Sequence, residues 1–210
     1  SALCIIAEFI RDSGSPPPKG KAIVTGSETL LDHQRALLRD VFGVEPFSKY
    51  SSYENFDIAM ECSAHAGLHV AAEDFVVEIV DESGRPVESG REGRVVITSL
   101  HEWGMPLIRY DMGDESSLMQ SMCECGRSLP RLSPIIGKSG DIIYTPSGKR
   151  LSPRSFVARD LAGLGVRRFQ LIQEKLEHVT VRVVPGSSLS SAEALELADA
   201  VKTHYCSTLG

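Results

Sequence analysis

The stretch KAIVTGSETLLDHQRALLRDVFGVEPFSKY, Lys21 to Tyr50, decides how the chain is read. Its first five residues, Lys21 to Thr25, form a short apolar run of strand type. Thr29 to Phe42 then repeats at the helical period. Leu30, Leu31, Leu37, Leu38, Val41 and Phe42 fall broadly on one face, Asp32 sits in the first turn, Thr29 can cap the start and Gly43 ends it. Val44 to Tyr50 reads as a second strand, weakened by Pro46. Strand, helix and strand with short joins make a βαβ unit, which builds a parallel sheet.

Outward from this unit the pattern changes twice. On the N-terminal side, Ala2 to Ile10 followed by Gly14 predicts a short helix with an apolar face. On the C-terminal side, Asp74 to Asp81 and Gly93 to Ser99 are strands joined by Glu82-Ser83-Gly84-Arg85-Pro86 turn chemistry. Pro106 to Tyr110 and Asp114 to Met119 read as further short strands, and together they suggest a small antiparallel β-barrel. From about Gly140, a hairpin (Asp141 to Thr145 with Lys149 to Leu151), a helix over Ser152 to Leu164 and strands at Val166 to Gln173 and His178 to Val184 follow in turn. A helix over Ser190 to Tyr205, opened by a Ser190…Glu193 capping box, ends the unit. The expected fold is α/β plus α+β: residues 1–137 as one domain (1–66 α/β with a partial parallel sheet, 67–137 barrel-like) and 138–210 as a small α+β domain.

Composition narrows the function. The 210 residues carry 22 basic and 28 acidic side chains, a net charge of −6, and this acidity argues against a nucleic-acid partner, which needs clustered Lys and Arg. Hydrophobic residues make up 42%, enough for a real core, yet no apolar run approaches the roughly 20 residues of a membrane span. Five cysteines are odd in number and too few for a disulfide framework, so a reduced, cytoplasmic protein is expected. The chain starts at Ser1 inside an expected helix and stops at Gly210 just after another, which reads as a piece of something larger.

Two groups of residues could carry chemistry. Thr25-Gly26-Ser27-Glu28-Thr29 and Tyr50-Ser51-Ser52-Tyr53-Glu54 lie just past the ends of consecutive strands, where ligands of open α/β sheets bind. The long helix starts beside them and favours anions. Ordinary capping and loop residues are the simpler reading. In the second group, Cys62, His65 and His69 lie around a Gly67 turn, while Cys123 and Cys125 share a later loop. Three thiolates and one imidazole are a standard structural zinc set. The alternative makes Cys62 a small core residue and the Cys-x-Cys a reduced loop.

In this order the motifs resemble the adenylate-forming superfamily, and within it the phenylacetate–CoA ligase-like branch, including relatives from capsular-polysaccharide clusters. Thr25-Gly26-Ser27-Glu28-Thr29 resembles the adenine-binding segment, and Tyr50-Ser51-Ser52-Tyr53-Glu54 the Tyr-Gly-x-x-Glu motif. Met105-Pro106-Leu107-Ile108-Arg109-Tyr110 with Gly113-Asp114 resembles the Pro-Leu-Ile-Arg-Tyr-x-x-Gly-Asp motif. Cys123-Glu124-Cys125-Gly126-Arg127 resembles the branch's Cys-x-Cys-Gly-Arg, and Gly137-Lys138-Ser139-Gly140-Asp141 its hinge before a mobile lid.

The resemblance implies ATP and AMP binding by Ser27, Glu28, Thr29, Tyr50, Ser51, Asp114 and Lys138, with Asp114 and Lys138 on the ribose and Tyr50 along the adenine. It implies Mg at Glu54, which also serves catalysis, and coenzyme A as co-substrate for a small-molecule carboxylate. It favours His69 over His65 as the fourth zinc ligand with Cys62, Cys123 and Cys125, because Gly67-Leu68-His69 matches the branch. A homodimer is compatible with the family; membrane and nucleic-acid partners are not expected. Ser51 stands in place of a Gly, Tyr53 of a small hydroxyl residue, Lys138 of an Arg and Gly140 of an Asp. The family's phosphate loop and catalytic lysine have no counterpart within residues 1–210, so the chain alone is expected to be inactive as a ligase. A non-catalytic nucleotide-binding or zinc-stapled interaction module is the rival expectation.

Overall fold

The structure is a computed structural model and describes residues 2–138, 142–148, 150–151 and 164–209. The chain divides into two compact units, residues 1–139 and 140–210.

The first unit opens with α1 (Ala2–Ser13). The βαβ unit follows as β1 (Ile23–Thr25), α2 (Asp32–Phe42) and β2 (Pro46–Ser51), with β1 and β2 paired in parallel. Leu30 and Leu38 are buried against Cys4 and Ala7 of α1, with Leu37, Val41 and Phe42 around them, so the apolar stripe read from sequence is the face that packs. Gly43 ends α2 in the left-handed region, φ 70°, its N–H donating to Arg39 O. The start differs from expectation. Thr29 does not cap α2: its hydroxyl donates to Ile135 O, the helix begins at Asp32, and Gln34 accepts the Leu31 N–H instead.

Two strands that the sequence reading did not assign, β3 (Asp57–Glu61) and β4 (Leu68–Val70), extend this sheet antiparallel from β2. With β8 (Arg131–Leu132) at its far edge, the sheet has five strands in the order β1-β2-β3-β4-β8. A second sheet of four strands, β5 (Phe75–Val80), β6 (Gly93–Ser99), β7 (Tyr110–Ser116) and β9 (Gly137–Lys138), is antiparallel throughout. The expected barrel is therefore not closed among the described residues. After β7 the chain crosses to pair β8 with β4 in the other sheet, and returns only for the two residues of β9. The two sheets bury one common core: Tyr50, Ile58, Ala59, Leu68, Val70, Ile79, Val95, Ile97, Met112 and Leu132. Closure would cost that shared core, so two open sheets win.

The expected strand at Pro106 to Tyr110 is a loop that ends at Arg109, in the left-handed region with φ 51°. The strand runs instead from Tyr110 through Asp114 to Ser116. Arg109 is held by its N–H on Thr98 Oγ1 and its guanidinium on Glu78 and Gly84 O. Gly67 is the tightest turn of the first sheet: its φ is +96°, and a Cβ there would lie 2.8 Å from Leu132 O. Gly67→Ala is expected to destabilise the unit by about 2–3 kcal/mol, from left-handed strain plus displacement of β8, read as a lower denaturant midpoint at unchanged slope.

In the second unit, β10 (Ile143–Tyr144) pairs with β11 (Arg150–Leu151), and β12 (Val166–Lys175) with β13 (His178–Pro185), each antiparallel. The helix α3 (Ser191–Leu209) begins at the expected box: Ser190 N–H and Oγ both donate to Glu193 Oε2. Val201 and Tyr205 of α3 pack with Ile143 and Leu151 and against the alternate residues Val179, Val181 and Val183 of β13. Residues 152–163 of the helix expected over 152–164, and the segment 139–141, lie outside the described residues.

Candidate functional site

The structure brings the motif residues into two clusters, both in the first unit. In the first, Tyr50 at the end of β2 donates its hydroxyl to Asp114 Oδ2 at 2.9 Å, a buried bond across 64 residues of sequence. Asp114 Oδ1 accepts from Lys138 Nζ at 3.0 Å, and the same ammonium donates to Met112 O at 3.1 Å. The register places Lys138 directly opposite Asp114 on β9 and β7, which explains the meeting. Both carboxylate oxygens are thus held, yet each keeps a second lone pair for another donor. Burial, then the Asp114 charge and the bond to it, then the Asp111 charge raise the Tyr50 ionisation far above its ordinary value. Tyr50 therefore remains a neutral donor across the working pH range.

The remaining nucleotide candidates surround this cluster less closely. A Cβ on Gly26 would lie 3.2 Å from Lys49 Cγ and 3.7 Å from Ser51 Oγ, so the 25–29 loop runs beside the end of β2. Ser27 is exposed with φ 69°, and Glu28 is exposed. Thr29 is turned to Ile135 O. Glu54 is an exposed carboxylate in the bend between β2 and β3. Next to it, Asn55 is 1% exposed and neither atom of its side-chain amide has a partner, a residue that motif reading passed over.

The second cluster joins Cys62, His69, Cys123 and Cys125, whose ligand atoms all lie within 4.8 Å of one another. Cys62 Sγ is 3.6 Å from Cys123 Sγ, and His69 Nε2 is 3.4 Å from Cys125 Sγ. A tetrahedral zinc with Zn–S near 2.3 Å and Zn–N near 2.0 Å separates such pairs by about 3.8 and 3.6 Å, so the cradle fits that ion. Local turns build it. His65 N–H donates to Cys62 O with His65 at φ 49°, and Gly126 N–H donates to Cys123 O with Gly126 at φ 81°. Cys62 leaves β3, His69 is the centre of β4, and the two strands pair antiparallel. His65 itself points elsewhere: its Nδ1 is 3.0 Å from Glu61 Oε2 and 3.2 Å from Arg35 Nη1, inside a network joining α2 to β3.

Electrostatics suit thiolate and imidazole ligands. Cys125 is drawn down to about 7, first by the Arg127 backbone N–H and against burial, with Cys123, the Arg127 side chain and Cys62 adding. For Cys123 the Cys125 backbone N–H pulls down, but burial and the neighbouring Cys125 and Cys62 thiols outweigh it and push the group up. His69 is lowered by burial first, then by the charges of Arg131 and Arg127, which keeps it neutral. Its Nδ1 is buried without a hydrogen-bond partner.

No profile of a known protein family matches the chain. Its sequence is 31% identical over 194 residues to the phenylacetate–coenzyme A ligase of Thermus thermophilus, covering 90% of this chain and 41% of that protein. It is 30% identical over 127 residues to the phenylacetate–coenzyme A ligase of Aromatoleum evansii, covering 59% of this chain and 28% of that one. In structure it matches 2-hydroxyisobutyryl-CoA ligase in the postadenylation state with R3-HIB-AMP, at TM-score 0.74 and 21% identity, over 99% of this chain and 47% of that one. The anthranilate CoA ligase AuaEII with anthranoyl-AMP matches at TM-score 0.58 and 17% identity, over 86% of this chain and 37% of that one. The chain thus spans less than half the length of these proteins. Its mixed α/β fold is that of adenylate-forming CoA ligases. By sequence it is a relative of the phenylacetate–CoA ligases, as its motifs implied. Among the described residues, no helix is long and apolar enough to cross a membrane.

Proposed function

We propose that this sequence belongs to an enzyme that activates a small carboxylic acid with ATP and transfers the acyl group to coenzyme A. The observation that carries this reading is the Tyr50–Asp114–Lys138 cluster, a fixed carboxylate beside a strand-end loop. In the first step, a carboxylate oxygen of the substrate attacks the α-phosphorus of ATP and pyrophosphate leaves. In the second, the thiol sulfur of coenzyme A attacks the acyl carbon, AMP leaves and the thiol proton is released.

Asp114 accepts both hydroxyls of the ribose, since a carboxylate matches a vicinal diol. Lys138 and Tyr50 hold the carboxylate in place, and Lys138 supplies charge without the fork of an arginine. Ser27, Glu28, Thr29 and Ser51 form the wall that receives the base. Glu54 is the residue to hold Mg, which shields phosphate charge when bound; one carboxylate plus substrate oxygens is the usual Mg set. Cys62, His69, Cys123 and Cys125 hold a zinc ion that pins two loops; four protein ligands leave no open position, so its role is structural. That staple reaches the ribose site through β8, because Ser116 Oγ at the end of β7 donates to Ser133 O just after Leu132.

The test is carboxylate-dependent release of pyrophosphate by the full-length protein across a panel of aryl and alkyl acids, followed by thioester formation on adding coenzyme A. Saturable turnover of at least one acid supports the proposal. ATP binding without acid-dependent pyrophosphate would leave the non-catalytic module as the function.

A further inference from the structure

Arg131 is 4% exposed, and among the described residues no carboxylate lies within ion-pair distance of it. A buried guanidinium in that state is costly unless something else supplies negative charge. Its hydrogen bonds go to neutral oxygens. Nη1 donates to Ala66 O, and Nη2 donates to Ser121 O at 2.5 Å and to Ser121 Oγ at 3.1 Å. Ala66 lies in the turn between Cys62 and His69, and Ser121 two residues before Cys123. One side chain therefore grips both ligand-bearing turns. Its backbone stands opposite His69 in the β4–β8 ladder, so the two side chains share a face of the sheet. The ligand set lies on this same face, and the Arg131 charge acts on His69, its partner in the ladder. Three thiolates and a neutral imidazole around a dication leave one net negative charge; Arg127 acts on Cys125 from its own loop, and Arg131 is the buried guanidinium that faces His69.

We propose that Arg131 is the positioning and charge-balancing residue of the metal centre, clamping its two turns and neutralising the excess charge of a Cys₃His zinc site. The inference rests on the zinc reading above and adds a residue to it. Outer partners of metal ligands are worth 10–100-fold in metal affinity when removed.

The experiment compares the full-length protein with Arg131→Met and Arg131→Lys. Zinc content is measured as purified, zinc affinity by competition with a chromophoric chelator, and ligand geometry by absorption of the cobalt-substituted protein. Arg131→Met is expected to lose about 10–100-fold in zinc affinity and to change the thiolate-to-cobalt bands. Arg131→Lys keeps the charge but cannot span both turns, and should fall between. If Arg131→Met does not fold, Arg131→Lys and Ser121→Ala, which removes a single contact, carry the comparison. A wild-type protein with zinc and variants with unchanged affinity and cobalt spectrum would overturn the role of Arg131 alone. A wild-type protein without zinc would overturn the zinc reading, and the clamp with it.

Discussion

Protein purified without chelator is expected to carry about one zinc per chain, and Cys123→Ser to abolish it. Removing one thiolate leaves a three-ligand set with buried Cys62 facing no metal. Binding free energy at a structural zinc site is folding free energy, on the order of 10–16 kcal/mol in small zinc domains near neutral pH. With free zinc about 1,000-fold above its Kd, linkage alone adds about 4 kcal/mol. For a unit of this size that is roughly 10–15 °C in Tm. His69→Ala should behave like Cys123→Ser. His65→Ala should keep the metal and lose about 1 kcal/mol or less with its Glu61 and Arg35 contacts.

The pH sign follows from the thiols. Cys125 is depressed from 9.0 to about 7, so in metal-free protein its thiolate stabilises the fold fully above the ordinary thiol range, and that contribution is lost as pH falls through about 7. Zinc affinity therefore falls as pH falls, with protons competing first for the raised Cys123 thiol and, below about pH 7, for Cys125 as well. Elemental analysis without stoichiometric metal would return these cysteines to the core.

Asp114→Ala in the full-length enzyme should lower kcat/KM for ATP by about 100–10,000-fold. Each charge-assisted hydrogen bond to the ribose diol is worth about 1.5–3 kcal/mol, and two are lost together. The variant also removes the acceptor of the buried Tyr50 hydroxyl and leaves the Lys138 ammonium with Met112 O alone. Tyr50→Phe keeps the ring and the charge of Asp114 but releases one carboxylate oxygen, and should cost about 10-fold. Because Tyr50 stays protonated, that loss should be the same from about pH 6 to about pH 9. A folded Asp114→Ala enzyme with unchanged ATP kinetics would remove Asp114 from the ribose site.

Periodicity made the βαβ unit legible, since six apolar residues at helical spacing, four of them within α2, have few other uses. The Ser190 box marked α3 for the same local reason. Long-range choices were not legible. Whether Asp114 to Met119 closes a barrel depends on which sheet accepts β8, and the two residues Arg131 and Leu132 carry no periodicity to decide it. Strand β3 was hidden because Asp57-Ile58-Ala59-Met60-Glu61 buries only Ile58 and Ala59, side by side, where alternation would bury every second residue. Motif order identified Tyr50, Asp114 and Lys138 but not their mutual bonds, and it named all four members of the Cys–His cluster. Arg131 and Asn55 gave no signal, because a buried arginine or asparagine is set by what surrounds it and not by its neighbours in sequence.

Among the described residues, strand β9 holds Lys138 over Asp114 through two residues of ladder, Asp114 opposite Lys138 and Glu115 opposite Gly137. The β6–β7 ladder behind it runs from Gly93 opposite Ser116 to Ile97 opposite Tyr110. Amide protection is expected to follow the same division. Opening β9 exposes a sheet margin at little free-energy cost, while Val95 and Ile97, both 0% exposed, exchange only when the whole unit opens. Lys138 can therefore leave and regain the carboxylate many times within the lifetime of one folded molecule, with Asp114 staying where β7 put it.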